Sequence, residues 1–396
     1  MTKNTKRQVG ILSVVGLVCI IGYVFNVRSI NSFVNTLENT FGGRRYLASL
    51  DPYLDSSLLP AWAQYNLVDV TEYPDPTRET ALFWHVPKSG GTTAKRVYEC
   101  LGQTLANRLG ADPRFGHDQD EEIVIFHPFA TEPEIKFVNV DTTTKAGVVR
   151  AARLGLVPSG KVDMIFSTDV NFATEHLFDP DHKGRILALF RNPVDRAVSK
   201  FYYLQTATWE RTFKPEWQGM GIVEWATQHN IDENFLVKKI VGKKLQDPVD
   251  VGDLVNAKEI IRRRFIVGLM VDMEESISRF NVILGLNFED AKGKACKKQF
   301  FGAKKDKKGD KKDKKGDKEE KKGEVTADAN ADNGEGEGNP GANPHPTLEE
   351  GSPEYNVIAE RNALDMILYN YITLLYSEQK VVIDAYASMQ GQNFQH

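Results

Sequence analysis

Two short stretches of this 396-residue chain carry residue types that bind phosphate groups. The first follows an apolar run and precedes a helical pattern, so it turns backbone N–H groups at a helix N-terminus toward one point, where an anion is stabilised. Its glycines allow a close approach and its hydroxyls add donors. Because the lysine precedes the glycines, the stretch is not a Walker A loop. The alternative is a simple helix cap after a glycine turn. The stretch consists of Pro87, Lys88, Ser89, Gly90, Gly91, Thr92 and Thr93.

The second stretch runs from Arg191 to Ser199 and also follows an apolar run. Asn192 is a favoured helix N-cap, Pro193 suits the first helical position, and Asp195 complements the helix dipole. The planar guanidinium of Arg191 can bind a phosphate in two-pronged fashion. Taken alone, the pattern fits an Arg–Asp ion pair beside a helix start equally well.

Strand and helix patterns alternate around these stretches. Continuous apolar strands that alternate with helices predict an α/β fold, in which a parallel sheet is flanked by helices and the active site lies at the carboxyl ends of the strands. The predicted strands are 81–86, 123–126, 135–140, 162–167, 186–190 and 265–269. The predicted helices are 92–109, 145–154, 193–208, 222–229, 232–241, 252–262, 272–284 and 354–388.

Together, the two stretches strongly resemble those of the PAPS-dependent sulfotransferases, in particular the membrane-bound carbohydrate (heparan sulfate 2-O-like) branch. PAPS is 3′-phosphoadenosine 5′-phosphosulfate. Three weaker similarities lie at 234–238, at 265–276 and at 362–369. The resemblance covers about 80–290 and 353–380. It implies a P-loop-like α/β catalytic domain over 79–301, completed by C-terminal helices within 352–396.

The resemblance also implies a reaction and a set of roles. Residues 88–93 would bind the 5′-phosphosulfate of PAPS, and Arg191 and Ser199 would bind its 3′-phosphate. A sulfuryl group would pass to a hydroxyl or amine of an acceptor, with a glycan as the first expectation, and leave 3′,5′-ADP (PAP). Lys88 would stabilise charge on the leaving phosphate. The scheme requires no metal, and the sequence shows no zinc-site spacing.

The general base is the point at which the sequence departs from this branch. A histidine is expected shortly after the strand that precedes the Arg191 stretch, but Asp169 stands at about that place. A carboxylate can serve as the base. His176 lies further along the same stretch and is a second candidate, while some other residue remains a third possibility. A surface helix cap is the alternative role for Asp169.

The N-terminus predicts a membrane anchor. Residues 1–8 are basic and 9–27 are almost wholly apolar, which suits a cytosolic tail, a transmembrane signal anchor and a Golgi-type single-pass topology with a luminal catalytic domain. A cleaved signal peptide and a buried core helix are the alternatives. Residues 28–78 would form a stem.

Residues 302–351 differ in composition from the rest of the chain. This Lys/Asp-rich and Gly/Asn-rich segment contains 11 lysines and 13 acidic residues but very few large apolar ones, which predicts a disordered insert. Since the segment is nearly neutral, as is the whole chain at net charge −4, no basic nucleic-acid-binding domain is expected. A solvated spacer is the simpler role for the insert, and polyanion binding is the alternative.

Other functions remain open at this stage. A protein-tyrosine or small-molecule sulfotransferase would share the fold, and a membrane-tethered protein that binds PAP or a glycan without catalysis is a different class. A kinase using ATP is disfavoured by the missing Walker A loop. Cys100 and Cys296 could form a disulfide in an oxidising lumen or remain two buried thiols, and the oligomeric state is not predicted.

Overall fold

The computed structural model describes residues 59–208, 210, 213–228, 233–302 and 345–393. The predicted tail, anchor and most of the stem lie outside these residues, as does most of the predicted insert. No helix within the described ranges is both long and apolar enough to span a bilayer.

A seven-stranded sheet forms the centre of the fold, with the strand order β3-β4-β2-β5-β1-β6-β7. All neighbouring pairs are parallel except β3 and β4, which are antiparallel. The sheet is therefore mostly parallel and flanked by helices, as predicted. The strands are β1 (Glu79–Trp84), β2 (Thr104–Ala106), β3 (Ile125–Phe126), β4 (Lys136–Val138), β5 (Met164–Ser167), β6 (Lys183–Phe190) and β7 (Phe265–Leu269).

Most predicted helices lie close to their predicted positions, but the pattern over 354–388 forms two helices that meet at Asn362. Three helices, at Ala61–Tyr65, Val170–Leu177 and Ala291–Phe301, were not predicted. A further correction concerns the first predicted helix. The helix predicted over 92–109 ends at Cys100, because Gly102 takes the left-handed conformation (φ 80°) that commonly terminates helices, and β2 follows. The helices are α1 (Ala61–Tyr65), α2 (Gly91–Cys100), α3 (Lys145–Arg153), α4 (Val170–Leu177), α5 (Pro193–Leu204), α6 (Ile222–Gln228), α7 (Phe235–Ile240), α8 (Val251–Arg264), α9 (Met273–Ile283), α10 (Ala291–Phe301), α11 (Pro353–Arg361) and α12 (Ala363–Asn393).

The central strands are buried on both faces, which explains their continuous apolar sequences. Residues 81–84 of β1 and 184–190 of β6 are all buried. Trp84 contacts Phe190 and Phe265 edge-on on one side of the sheet, whereas Phe83 stacks on Phe166 on the other. The two apolar layers hold the carboxyl ends of β1, β5 and β6 next to one another.

The segment before β1 runs along the amino ends of the strands. Leu67 forms a parallel bridge with Gly184 at the start of β6, and the Val68 N–H donates to the Gly184 carbonyl oxygen at 3.0 Å. The buried Arg185 side chain contacts Glu79 through its Nε, 2.7 Å from Oε1. Because β1 then runs from its amino end to its carboxyl end, the chain enters the domain at the amino ends of the strands.

Two helices that lie far apart in the sequence cap each other. Asp365 accepts hydrogen bonds from the backbone N–H groups of Leu236 and Val237 in α7, at 2.8 and 2.9 Å. In return, Asn234 Oδ1 accepts from Leu364 N–H in α12 at 2.9 Å. These bonds pair backbone N–H groups at both helix starts that have no partner within their own helix. The C-terminal helices are thereby fixed to the main body of the domain.

The outer edge of β7 is closed by side chains rather than by another strand. The Gln379 amide of α12 accepts from Val267 N–H at 2.9 Å and donates to the Phe265 carbonyl oxygen at 2.7 Å. Ser276 of α9 bonds in the same way to the N–H and C=O of Leu269. Because edge strands invite pairing with other chains, this closure protects the sheet.

Cys100 and Cys296 are joined as a disulfide, which decides between the two alternatives left open by the sequence. The bond links the last residue of α2 to the middle of α10, 196 residues later in the chain. It therefore ties the helix that follows the first predicted phosphate-binding stretch to the helix before the charged insert.

Candidate functional site

The first stretch forms a tight turn between the end of β1 and the start of α2. Gly90 has φ 86°, a left-handed conformation that glycine adopts without strain. Lys88 has φ 62°, which is unusual for a residue with a side chain and occurs most often at functional sites. A methyl group on Gly91 would lie 2.4 Å from His85 Cδ2, so the His85 ring packs directly against the start of the helix.

The start of α2 has features of an anion site beyond the helix end itself. Its N-cap residue is Gly90, which supplies no side-chain cap. The N–H groups and the dipole at a helix N-terminus attract anions. Ser89 is 1% exposed, and its buried Oγ has no hydrogen-bond partner, which is the arrangement expected if a ligand supplies one.

The second stretch begins at the neighbouring strand end and touches the first. Arg191 Nη1 donates to the Lys88 carbonyl oxygen at 3.1 Å, although the two residues are 103 positions apart. Asn192 caps α5 as predicted, since its Oδ1 accepts from Val194 N–H at 2.9 Å. The structure therefore brings the two stretches together at the carboxyl ends of β1 and β6.

The electrostatics around Arg191 favour an added anion. Burial lowers the pKa of Arg191, and the nearby Arg196 lowers it further, while Asp195 acts in the opposite direction. The guanidinium is still charged at neutral pH. A buried cation next to a second cation gains most from a negative partner, which is the role that a phosphate would fill.

Two aromatic side chains lie near these cations, and we name Lys88, Arg191, Tyr203 and Tyr369 the Arg191 cluster. Lys88 Nζ lies 4.1 Å from the centre of the Tyr203 ring, and the Tyr203 hydroxyl donates to Glu210 at 2.7 Å. Ser199 is buried in α5, two turns beyond Pro193. Tyr369 of α12 is also near Arg191, and burial raises the pKa of its hydroxyl, with Asp195 adding to the rise.

A pocket of about 210 Å³ lies beside Pro87 of this turn. We name it the loop pocket. It is bounded by residues 142–145 before and at the start of α3, by 167–169 after β5, and by Pro87, Val148, Phe172, Phe235 and Lys239. Sequence reasoning missed the 142–145 loop as a site element, although its place between a strand and a helix at the carboxyl edge was a usable signal.

Asp169 lines the loop pocket, and its two carboxylate oxygens have different neighbours. Oδ1 accepts from Phe172 N–H at 3.4 Å and so caps α4, whereas Oδ2 lies 3.7 Å from Lys145 Nζ. Both contacts are long, and the side chain is 31% exposed. The capping role considered from the sequence is real, and the second oxygen is directed to a lysine at the pocket.

His176 has a different environment from Asp169. It is exposed, its ring stacks on Phe172 with a centroid distance of 3.9 Å, and its Nδ1 lies 2.9 Å from the Phe172 carbonyl oxygen of its own helix. It is not among the residues that line the loop pocket. Phe172 is the residue of this pair that reaches the pocket, so the geometry favours Asp169 over His176 as a base.

Five basic residues of α7 and α8 divide into two groups. Arg262 and Arg263 pair with Glu259, and Arg264 lies near Asp69, so these three belong to the packing of α8. Lys238 is buried, and its Nζ donates to the Leu245 carbonyl oxygen at 2.9 Å. Lys239 alone among these five lines the loop pocket.

In the described part of the chain, no group of three or more His, Cys, Asp or Glu residues is arranged to hold a metal ion. The candidate site consists of the turn before α2, the Arg191 cluster and the loop pocket, all at the carboxyl edge of the sheet. No protein-family model matches this chain, and no curated protein is significantly similar to it.

Proposed function

We propose that the protein is a PAPS-dependent sulfotransferase. The single observation that supports this most is the hydrogen bond from Arg191 to the Lys88 carbonyl, which joins the two phosphate-binding stretches into one site. The buried Ser89 Oγ, which has no hydrogen-bond partner, and the glycine N-cap of α2 fit a phosphosulfate at the turn. Arg191 and the buried Ser199 would hold the 3′-phosphate.

PAPS, when bound, would supply the sulfuryl group. The Lys88 ammonium would balance the charge that develops on the 5′-phosphate, and the first N–H groups of α2 would bind the same phosphate. Gly91 at the start of α2 leaves room for the His85 ring, which a side chain there would displace. Arg191 and Tyr203 would fix the orientation of these groups.

The transfer exchanges one S–O bond for another. The bond between sulfur and the 5′-phosphate oxygen breaks and leaves PAP, while a new bond forms between sulfur and the acceptor oxygen or nitrogen. The acceptor proton would pass to Asp169, which lines the pocket nearest the Pro87–Lys88 turn. His176 remains a second candidate for this role, although it is exposed and does not line the pocket.

A glycan is the acceptor class that we favour, and a protein tyrosine or a small phenol is the alternative within the same chemistry. A membrane-tethered protein that binds PAP or a glycan without catalysis is the alternative from a different class. The Cys100–Cys296 disulfide supports a luminal location, since such bonds persist in oxidising compartments. We accordingly propose a single-pass Golgi membrane protein with the catalytic domain in the lumen.

Transfer of radiolabelled sulfate from PAPS to a panel of glycans, tyrosine peptides and phenols tests the function. We expect one class to be labelled, and Lys88→Ala and Arg191→Ala to lower the rate by about 10²-fold or more. Unchanged transfer in Lys88→Ala would refute the mechanism. Binding of PAP without transfer to any acceptor would favour the non-catalytic alternative, and preference for ATP with Mg²⁺ would favour a kinase.

A further inference from the structure

We propose that Glu210 is a positioning residue that orients Lys88 through the Tyr203 ring, an inference that rests on the sulfuryl transfer proposed above. The Tyr203 hydroxyl donates to Glu210 Oε1 at 2.7 Å, and the face of the same ring lies 4.1 Å from Lys88 Nζ. One side chain therefore contacts the lysine with its face and a carboxylate with its hydroxyl. In this arrangement Glu210 acts on the reaction only through Lys88.

The turn after α5 folds Glu210 back onto its own helix. The Ala207 N–H donates to the Tyr203 carbonyl oxygen at 2.9 Å, and the Glu210 N–H donates to the Ala207 carbonyl oxygen at 3.0 Å. Ala207 is fully buried, so the turn packs against the domain at this point. The chain reversal therefore places the carboxylate beside a hydroxyl that lies only seven residues earlier.

The chain beyond Glu210 is anchored to the same helix. Gln205, just after α5, donates from Nε2 to the Trp217 carbonyl oxygen at 2.6 Å, and its Oε1 accepts from the Gly219 N–H at 3.0 Å. The Trp217 side chain is buried in one apolar cluster with Phe201 of α5. The segment that carries Glu210 is thus held at both ends, as a residue that orients another must be.

A carboxylate at the hydroxyl strengthens the effect of the ring on the lysine. A hydrogen bond to an ionised acceptor is shorter and stronger than one between neutral groups. It draws the hydroxyl proton toward Glu210, which leaves more negative charge on the ring face that meets the ammonium. Since the attraction between a cation and an aromatic face depends on that charge, Glu210 would both fix the Tyr203 ring and stabilise the charged form of Lys88.

Lys88 needs a restraint beyond its backbone. The turn fixes its main chain, with φ at 62° and the carbonyl oxygen bonded to Arg191. The ammonium, however, lies at the end of a flexible four-carbon stem, which the main chain alone does not orient. A misplacement of about 1 Å can cost roughly 100-fold in rate, so a contact that fixes the ammonium affects kcat more than it affects binding.

Transfer of labelled sulfate by a graded series of variants of the full chain tests this role. Glu210→Ala removes the acceptor, and we expect it to lower kcat by about threefold to tenfold while PAP affinity changes by less than about twofold. Glu210→Gln keeps a neutral acceptor and should recover part of the loss. The control is Glu224→Ala on α6, whose exposed carboxylate accepts a hydrogen bond from Gln228 at 3.1 Å, and which should leave kcat unchanged.

A double variant shows whether Glu210 acts through Tyr203. We expect Glu210→Ala to have almost no further effect on kcat in the Tyr203→Phe background, because the phenylalanine has already removed the bond. The same loss in both backgrounds would show that Glu210 acts without the ring, and it would overturn the inference. An unchanged kcat in Glu210→Ala, an equal loss in Glu224→Ala, or a loss of PAP affinity as large as the loss of kcat would overturn it too.

The reactivity of Lys88 toward an amine reagent separates this inference from the proposed function. Amines react in their neutral form, so loss of the carboxylate should raise the rate of Lys88 acetylation by acetic anhydride at fixed pH by about twofold to fivefold. Peptide mass spectrometry measures this rate without any transfer, and Lys380, which pairs with Asp384, is the internal reference. If wild type transfers no sulfate but the acetylation rate rises in Glu210→Ala, the transfer proposal fails and the positioning role stands. If wild type transfers sulfate but neither kcat nor acetylation responds, the positioning role fails and the transfer proposal stands.

Discussion

At the scale of single residues, the site contains backbone and side-chain features whose effects can be measured separately. Lys88 combines a left-handed backbone with a charge that contacts the Tyr203 ring. Ordinary residues pay about 1 kcal/mol for this backbone conformation, whereas glycine does not. A glycine at this position would therefore favour stability, whereas the lysine charge would favour the proposed function.

Lys88→Gly and Lys88→Ala form a matched pair, because both remove the charge and only one relieves the backbone. We expect Lys88→Gly to have a free energy of unfolding about 0.5–1 kcal/mol above that of Lys88→Ala. Both variants should lose sulfuryl transfer. Urea unfolding and the labelled-PAPS assay measure the two effects. Equal stability of the two variants would mean that the left-handed conformation at Lys88 carries no strain.

Tyr203 tests whether the ring itself positions Lys88. Tyr203→Phe keeps the aromatic face and loses only the hydroxyl contact with Glu210, whereas Tyr203→Leu removes the face. A cation over an aromatic ring is worth about 0.5–2 kcal/mol, so we expect Tyr203→Leu to lower kcat by about threefold to thirtyfold. PAP affinity should change less. Similar kcat values for the Phe and Leu variants would exclude this positioning role.

At the scale of elements, α12 supplies hydrogen bonds to the edge of β7 that a further strand would supply in other sheets. Gln379 supplies both hydrogen bonds along the outer edge of β7. Its replacement by Leu would leave a buried N–H and a buried C=O unpaired, so we expect a loss of about 2–4 kcal/mol in the free energy of unfolding. Glu378→Leu, one residue earlier on the exposed side, is the control for the change in side chain.

Tyr371, also on α12, gives a pH dependence. Burial raises the pKa of Tyr371 to about 12 from its ordinary value near 10. The Tyr371 hydroxyl therefore ionises at a lower pH in the unfolded chain than in the folded protein. The stability that this residue contributes is complete below pH 10 and is lost as the pH rises to about 12. Relative to wild type, Tyr371→Phe should gain about 1.4 kcal/mol between pH 9 and pH 11. An equal difference in the free energy of unfolding between Tyr371→Phe and wild type at pH 9 and pH 11 would contradict this.

Sequence patterns predicted most of these elements but not the contacts between them. β1, β6 and β7 were recognisable because strands buried on both faces must be apolar throughout. The three-residue β2 was read as helix, since Leu105 fits either period and Gly102 was not taken as a stop. Sequence patterns could not predict that Asn234 and Asp365 each cap the helix of the other, because each residue depends on a partner about 130 positions away.

The site shows the same division. The two stretches that are predicted to bind phosphate follow strand ends, and their meeting at one edge is what parallel strands require. The loop pocket could not be derived in this way, because its walls come from residues 142–145, 167–169 and α7, which only the packing of α7 against α4 brings together. Asp169 was located from its position after a strand, but its contact with Lys145 was not predicted.

At the scale of the whole molecule, the Cys100–Cys296 bond closes most of the described domain into one covalent loop. A cross-link over so long a segment restricts the unfolded chain strongly, and its removal commonly costs about 2–5 kcal/mol. We expect Cys100→Ser with Cys296→Ser to lower the free energy of unfolding by this amount. PAP affinity of the folded protein should change little, since the bond lies at the far end of α2. Urea unfolding measures the free energy of unfolding, and titration calorimetry measures the affinity for PAP. A loss of PAP binding free energy greater than the loss in the free energy of unfolding would contradict this.

The segment before β1 gives the domain a direction in space. It meets the sheet at the amino ends of β1 and β6, while the turn at Lys88 and the loop pocket lie at the carboxyl ends. A tether at Val27 would leave 31 residues before Leu59, a reach of at most about 110 Å. A molecule tethered in that way would carry its working face on the side of the domain opposite the point where the tether joins it. The tether would therefore not cover that face, and partners that diffuse in the surrounding fluid within that radius could reach it.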